Sequence, residues 1–284
     1  MIDEIVQTID RMPRISNITL LLLDRLMDEN FTVSEVAKLI EPDVSLSSRL
    51  LQTVNSPFFG LSRKITSIRL AVTFFGRLNM LSLIIMEGFK DIFYVPMRLY
   101  ERRPGEFWEH SLKTALAAKA LAEWLPAGVN TDVAYTAGLL HDMGKVCISK
   151  FAEENLFIQI SELFSDFNLN LLEQERKYFQ VDHTIVGEAL ADKWNLPDYV
   201  CMAVRFHHHP QMALGTFRYL STIVYLANMM AKFSTPEALD DSILDQMNSI
   251  VASVFLKKDF PFEKILLKFE EEFKKTRKRL QVAI

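Results

Sequence analysis

Apolar residues recur at three- and four-residue spacing along nearly the whole chain, the pattern of amphipathic helices. Leu20, Leu23, Leu26 and Met27 set the first stripe. Thr32-Val33-Ser34-Glu35 has capping-box chemistry, the threonine side chain taking an orphan N–H and the glutamate reaching back. It predicts a helix over 33–40, which Glu41-Pro42-Asp43 stops because the residue before proline is pushed out of the α region. Val44–Asn55 reads as the next helix, ending at NSPFFG. Thr66 is placed to cap SIRLAVTFFG, and a longer apolar helix is expected from Leu78 to about Ile92. Residues 96–105 hold two prolines, a glycine and three arginines, and mark an elbow between lobes. Beyond it, helices are predicted over 106–125, 131–143, 150–164, 168–179, 184–194, 198–208, 217–233, 239–256 and 261–281. Pro126, Pro197, Pro210, Pro236 and Pro261 fall between them.

Composition narrows this to an all-α fold. Only 9 glycines and 10 prolines punctuate 284 residues, too few for an all-β sandwich or a glycine-rich nucleotide-binding α/β sheet. A net charge of −4 with 49% hydrophobic residues excludes a disordered tail and a basic nucleic-acid coat. Cys147 and Cys201 lack zinc-ribbon spacing and read as small core residues of a cytoplasmic protein. The first residues have no signal-peptide character, and no apolar run is long enough to span a bilayer, so no membrane contact is expected. Residues 44–86 carry five basic residues and no acid. That stretch either attracts an anionic partner or consists of solvated helix faces that happen to lack carboxylates. The C-terminal FEEEFKKTRKRL is ordinary helix-surface charge pairing.

All six histidines lie beyond the elbow: His110, His141, His183, His207, His208 and His209. His141 abuts Asp142, and His207 abuts His208. Imidazole with carboxylate suits Zn, Mn or Fe, and ligands from several helices of a bundle can converge on one site. Neighbouring residues on an ideal helix point about 100° apart. Adjacent ligands therefore need a frayed helix end or two metals to serve. Lys145, three residues after Asp142, would either steady a phosphate or pair with Asp142. Gly138 and Gly144 flank the pair and would admit a close neighbour, and Gly144 is expected to end the helix as a C-cap.

GLLHDMGK, with His110 upstream and His183 and His207-His208 downstream, resembles the HD superfamily of metal-dependent phosphohydrolases. LIEPDVSLSSRLLQTVNSPFFG and ITSIRLAVTFFG are similar to the HDOD family, the HD-related output domain of bacterial signalling proteins. The resemblance runs from about Ile9 to about Phe233. It implies an HD-like helical bundle with an N-terminal helical lobe, divided as 1–97 and 98–284, and a free-standing signalling output module. It implies metal ligands at His110, His141, Asp142, His183, His207 and His208, with Asp142 and Lys145 catalytic if the centre is active, and a divalent metal (Fe, Mn or Zn) as the cofactor. Two departures stand out: Asn228 occupies the position of the superfamily's closing aspartate, and HHHPQMALGT replaces the GYP motif of the cyclic di-GMP phosphodiesterase branch.

Two functions follow as expectations. One is a module that binds a signalling protein partner, with Pro57-Phe58-Phe59 as a contact patch or as packing between the lobes. The other is hydrolysis of a nucleotide or cyclic dinucleotide. Nucleic-acid binding through residues 44–86 is the weakest reading, and a homo-oligomer is compatible with all three.

Overall fold

The computed structural model describes residues 2–90, 97, 99–101, 103–125, 128–155, 169–233, 235–258 and 260–281. Among the described residues the structure is helical, without strands. Contacts divide the chain into two units: Ile15–Lys90 with Glu270–Ile284, and Met1–Arg14 with Asp91–Phe269. A division at residue 97 therefore differs from the observed one at both ends of the chain.

In the first of these units, helix α2 (Asn17–Met27) is N-capped by Ser16 and buries Leu22, Leu23, Leu26 and Met27. Helix α3 (Val33–Ile40) starts at the predicted Thr32–Glu35 capping box, and α4 (Val44–Val54) is capped by Asp43. Helix α5 (Ile68–Phe75) is capped by Ser67 and not by Thr66, because the Ser67 hydroxyl is the one that accepts the Leu70 N–H. The apolar helix α6 (Arg77–Gly88) follows a sharp bend at Gly76, and residues 91 and 92 of its expected end lie outside the described set. Arg77 donates to the carbonyls of Leu26 (2.5 Å) and Asp28 (3.0 Å), satisfying acceptors at the end of α2. Among the described residues no single helix is long and apolar enough to cross a membrane. Only α5 with α6 passes by length and composition, and that pair is bent by 110°.

The other unit opens with α1 (Ile2–Arg11). Lys193 donates to the carbonyls of Ile9 (2.5 Å), Asp10 (2.6 Å) and Met12 (3.3 Å), and the Trp194 indole donates to Pro13 (2.9 Å). These bonds satisfy the last carbonyls of α1 and explain why residues 2–14 belong here and not with the segment that follows them.

The long α7 (Glu106–Trp124) buries an alanine-rich face against α8 (Thr131–Leu140). A side chain at Gly138 would meet Ala115 Cα and Thr114 O at 2.9 Å, so that glycine sets the spacing of the two helices. The predicted 131–143 helix stops at Leu140. His141, Asp142 and Met143 form a turn, and α9 (Gly144–Asn155) begins at once. Gly144 is thus the first residue of a helix and not a C-cap. A Cβ on it would lie 2.0 Å from the His183 carbonyl oxygen and 2.6 Å from Gly187 N, so its role is close approach to α11 (His183–Lys193).

Residues 150–155 of the helix expected at 150–164 are the later part of α9, and residues 156–164 lie outside the described set. Helix α10 (Leu171–Phe179) starts three residues later than predicted, at an Asn170–Glu173 capping box. Helices α12 (Asp198–Phe206), α13 (Phe217–Met230), α14 (Asp241–Phe255) and α15 (Phe262–Gln281) complete the series. Cys147 and Cys201 are free and buried, and burial pushes both thiols up to about 12, the inert core role expected of them.

Candidate metal centre

Four helix ends and one helix interior deliver the candidate ligands. His110 stands in the second turn of α7, and His141 and Asp142 occupy the turn between α8 and α9. His183 is the first residue of α11, where Asp182 caps the helix through Thr184 N (2.9 Å) and Ile185 N (3.2 Å). Arg176 holds the other Asp182 oxygen at 2.6 Å. His207 and His208 follow α12. Both adjacent pairs thus leave regular helix at the point where two neighbours must face the same way.

All six side chains converge. Their donor atoms form two groups, His110–His141–Asp142 and Asp142–His183–His207–His208, with the atoms of each group within 4.8 Å of one another. Asp142 belongs to both. Its Oδ2 lies 3.2 Å from His141 Nε2 and 3.6 Å from His110 Nε2, whereas its Oδ1 lies 3.3 Å from His183 Nε2 and 3.4 Å from His207 Nε2. Lys145 Nζ reaches Asp142 Oδ2 at 2.5 Å, so the pairing alternative for Lys145 holds in this structure.

A second tier of bonds orients the rings. His141 Nδ1 faces the Gly138 carbonyl and His207 Nδ1 the Val204 carbonyl, each at 2.8 Å. A carbonyl can only accept, so Nδ1 carries the hydrogen in both rings and Nε2 presents its lone pair to the centre. His183 Nδ1 faces the buried Glu175 carboxylate at 2.7 Å, which also accepts the His183 backbone N–H at 2.8 Å. Tyr100 donates to the same carboxylate at 2.8 Å.

The inner atoms lack partners. His141 Nε2, Asp142 Oδ1 and His208 Nε2 are buried without a hydrogen bond among the described residues, and the Nε2 atoms of His183 and His207 face each other at 3.3 Å. Converging lone pairs around an unpaired carboxylate oxygen are costly unless a cation sits among them. The donor set therefore fits one or two divalent metals, with nitrogen and oxygen ligands suited to Zn, Mn or Fe.

The electrostatics agree. Burial, joined by the neighbouring imidazoles, lowers His110 and His207 to about 3, and burial lowers His208 further still, which keeps these rings in the neutral form that ligates. His183 differs: burial opposes charge on it, but the Glu175 carboxylate and the nearby Asp142 carboxylate outweigh burial and lift this ring to about 9, so a metal would have to displace its proton. Burial disfavours the Asp142 carboxylate, yet His141 and Lys145 hold it well below the ordinary range.

The cluster opens on a cavity of about 550 Å³, with His110, Asp142, Lys145 and His208 at its base. Asn228 on α13 lines it, placing a neutral amide beside the centre as the sequence anticipated. His209, Tyr225 and Lys232 line it too, as do Glu101 and Glu106. Glu101 is engaged in accepting the Phe107 N–H at 2.7 Å. Sequence reasoning missed Glu175 and Tyr100. Their only sequence signal is a tyrosine inside the elbow and one more acid in a charged helix.

A model of the HDOD domain matches residues 12–210. A protein of Treponema pallidum (strain Nichols) is 27% identical over 229 residues, which cover 81% of this chain and 44% of that protein, so the chain spans less than half of that relative's length. The crystal structure of an HDOD domain protein of unknown function from Geobacter sulfurreducens superposes with a TM-score of 0.74 at 26% identity, covering 99% of this chain and 96% of the other. A Shewanella amazonensis SB2B structure, provisionally termed a phosphohydrolase, gives 0.70 at 20% identity over 99% and 98% of the two chains, a likeness of fold. With the matched model spanning well over half of its residues, and an HD-like histidine–aspartate cluster in its helical bundle, the chain belongs to the HDOD domain family.

Proposed function

We propose that this chain is a signalling output module whose HD-like centre binds divalent metal and hydrolyses a phosphate ester, of the nucleotide or cyclic-dinucleotide class, in the adjoining cavity. The observation that carries this reading is the sharing of Asp142 by two groups of imidazoles, with His141 Nε2, Asp142 Oδ1 and His208 Nε2 buried and without a hydrogen bond among the described residues. His110 and His141 would hold one metal and His183, His207 and His208 the other, with Asp142 common to both. The metal supplies Lewis acidity toward a phosphoryl oxygen and acidifies water.

Charge bookkeeping favours an anionic substrate. The inner set has one carboxylate, and Lys145 already offsets it. Asn228 adds no negative charge where an aspartate would. These residues would leave the charge of a bound divalent metal only partly offset, which would favour an anion such as phosphate in the adjoining cavity. Lys232 presents further positive charge to the cavity. Lys145 orients Asp142 and stands ready to contact a phosphate or protonate a leaving oxygen.

Elemental analysis of protein purified without chelator, followed by assay with Mn, Fe and Zn against a nucleotide panel, tests the proposal. Bound metal is expected, with turnover that Asp142→Ala abolishes. Metal-free protein and silence across the panel would remove the enzymatic reading.

A second reading, that the module acts by binding a protein partner, is favoured by a different observation: exposed Phe58 and Phe74 in the unit built on residues 15–90, whose Arg63, Lys64 and Arg69 are exposed without an ion pair among the described residues.

A further inference from the structure

Residues 44–86 contain no acid. Two of their five basic residues are spent internally, Arg49 on Glu87 (2.7 Å) and Arg77 on the end of α2. Arg63, Lys64 and Arg69 are exposed and make no ion pair among the described residues.

The same stretch of chain carries exposed apolar side chains. Phe58 is 44% exposed, Phe74 43% and Leu70 60%. Phe59 joins the first two, with ring centroids 5.1 Å from Phe58 and 5.4 Å from Phe74, both edge to face. Leu70 and Phe74 are four residues apart on α5 and share one face.

The patch is also held in place. Asn55, at the end of α4, accepts the Ile65 N–H and donates to the Ile65 carbonyl, each at 2.7 Å, and donates to the Leu51 carbonyl at 2.8 Å. This two-bond clamp closes the loop that carries Phe58, Arg63 and Lys64. Ordering costs that a flexible loop would meet on binding are already met in the fold.

We propose that this surface is a docking site for an acidic amphipathic peptide segment of a protein partner, the apolar side chains of the peptide seating on Phe58, Leu70 and Phe74 and its carboxylates on Arg63, Lys64 and Arg69. The inference rests on the partner-binding reading above and names the chemistry of that partner. Exposed aromatic side chains with flanking charge are the usual anchors of such interfaces. Nucleic acid fits less well. Charge-driven binding uses about 6–10 phosphate contacts, and three cations fall short of that.

The test uses the full chain. A random library of displayed peptides, about 16 residues long, is selected on it. Enriched peptides are then titrated by fluorescence anisotropy against wild type, Phe58→Ser, Leu70→Ser and the double variant Arg63→Glu, Lys64→Glu, with circular dichroism confirming the fold of each. The enriched sequences are expected to be acidic with apolar residues at helical spacing, to lose at least tenfold in affinity with every variant, and to weaken as salt rises from about 50 to about 500 mM. Acidic peptides that bind the variants as well as wild type would overturn the assignment of this surface while leaving partner binding intact. No enrichment at all would remove both. Tight binding of a labelled oligouridylate, lost in the same variants, would give the surface to nucleic acid instead.

Discussion

Glu175 is the sharpest lever on the metal centre, because its carboxylate touches a ligand but not the cavity. Glu175→Gln is nearly isosteric. With the amide oxygen at the Oε2 position it still accepts from His183 N and Nδ1, and the Tyr100 hydroxyl can turn to accept from the new amide. Only the negative charge is lost. Outer-shell partners of ligating histidines are worth about 10–100-fold in metal affinity, or about 1.4–2.8 kcal/mol. The lift of His183 to about 9 points the same way: against burial, Glu175 is first among the groups that stabilise positive charge on this ring. Competition with a chromogenic chelator for zinc should therefore show Glu175→Gln binding 10–100-fold more weakly with its melting temperature little changed. Glu175→Ala should lose the same affinity and also stability, since it strips the acceptor from buried His183 and Tyr100 donors at about 1–3 kcal/mol each. Wild-type affinity in a folded Glu175→Gln protein would refute the idea that this carboxylate tunes the centre.

Asn228→Asp should tighten metal binding by tenfold or more in the same competition, since it supplies an anionic donor to a charge-poor site; unchanged affinity would mean the side chain does not reach the ion. Gly144→Ala forces a Cβ against the His183 carbonyl and Gly187 backbone, neither of which can rotate away. It should cost about 1–3 kcal/mol or more in denaturant unfolding and weaken metal binding as His183 is displaced. In chelator-treated protein, His207 binds its proton at about 3 when folded and near 6.5 when unfolded. The unfolded state thus takes up the extra proton between those values and stability falls with pH below 6.5, by about 2–3 kcal/mol at pH 4.5. His207→Gln should make that slope shallower, His110 and His208 still contributing to it, and an unchanged slope would count against the buried neutral ring.

The helices were legible because a 3.6-residue stripe with few breakers leaves one reading, and because Thr32–Glu35 and Pro42 punctuate it chemically. The neighbouring hydroxyls of Thr66 and Ser67 could each cap α5, and only the backbone path of the entering chain selects Ser67. Gly144 was misread for a related reason. A glycine after an apolar helix looks the same whether it closes that helix or admits another, and the deciding contact, with His183 and Gly187, is some forty residues away. The histidine–aspartate ligands could be picked out because imidazoles are rare and two pairs are adjacent. Glu175 could not: within LLEQERKYF it reads as one more solvated acid, and its burial comes from the packing of α10 onto His183 and Tyr100. The attachment of α1 to Lys193 and Trp194 was equally hidden, since long-range partners leave no local pattern.

That attachment has a consequence for biogenesis. Each unit is assembled from two stretches of chain separated by the whole of the other or nearly so: residues 2–14 wait for 91–269, and 15–90 wait for 270–281. As the ribosome delivers the polypeptide from its amino end, residues 15–90 emerge well before the 270–281 stretch that belongs to their unit. A stop codon placed just before residue 270 should therefore harm the unit built on 15–90, although none of those residues is removed.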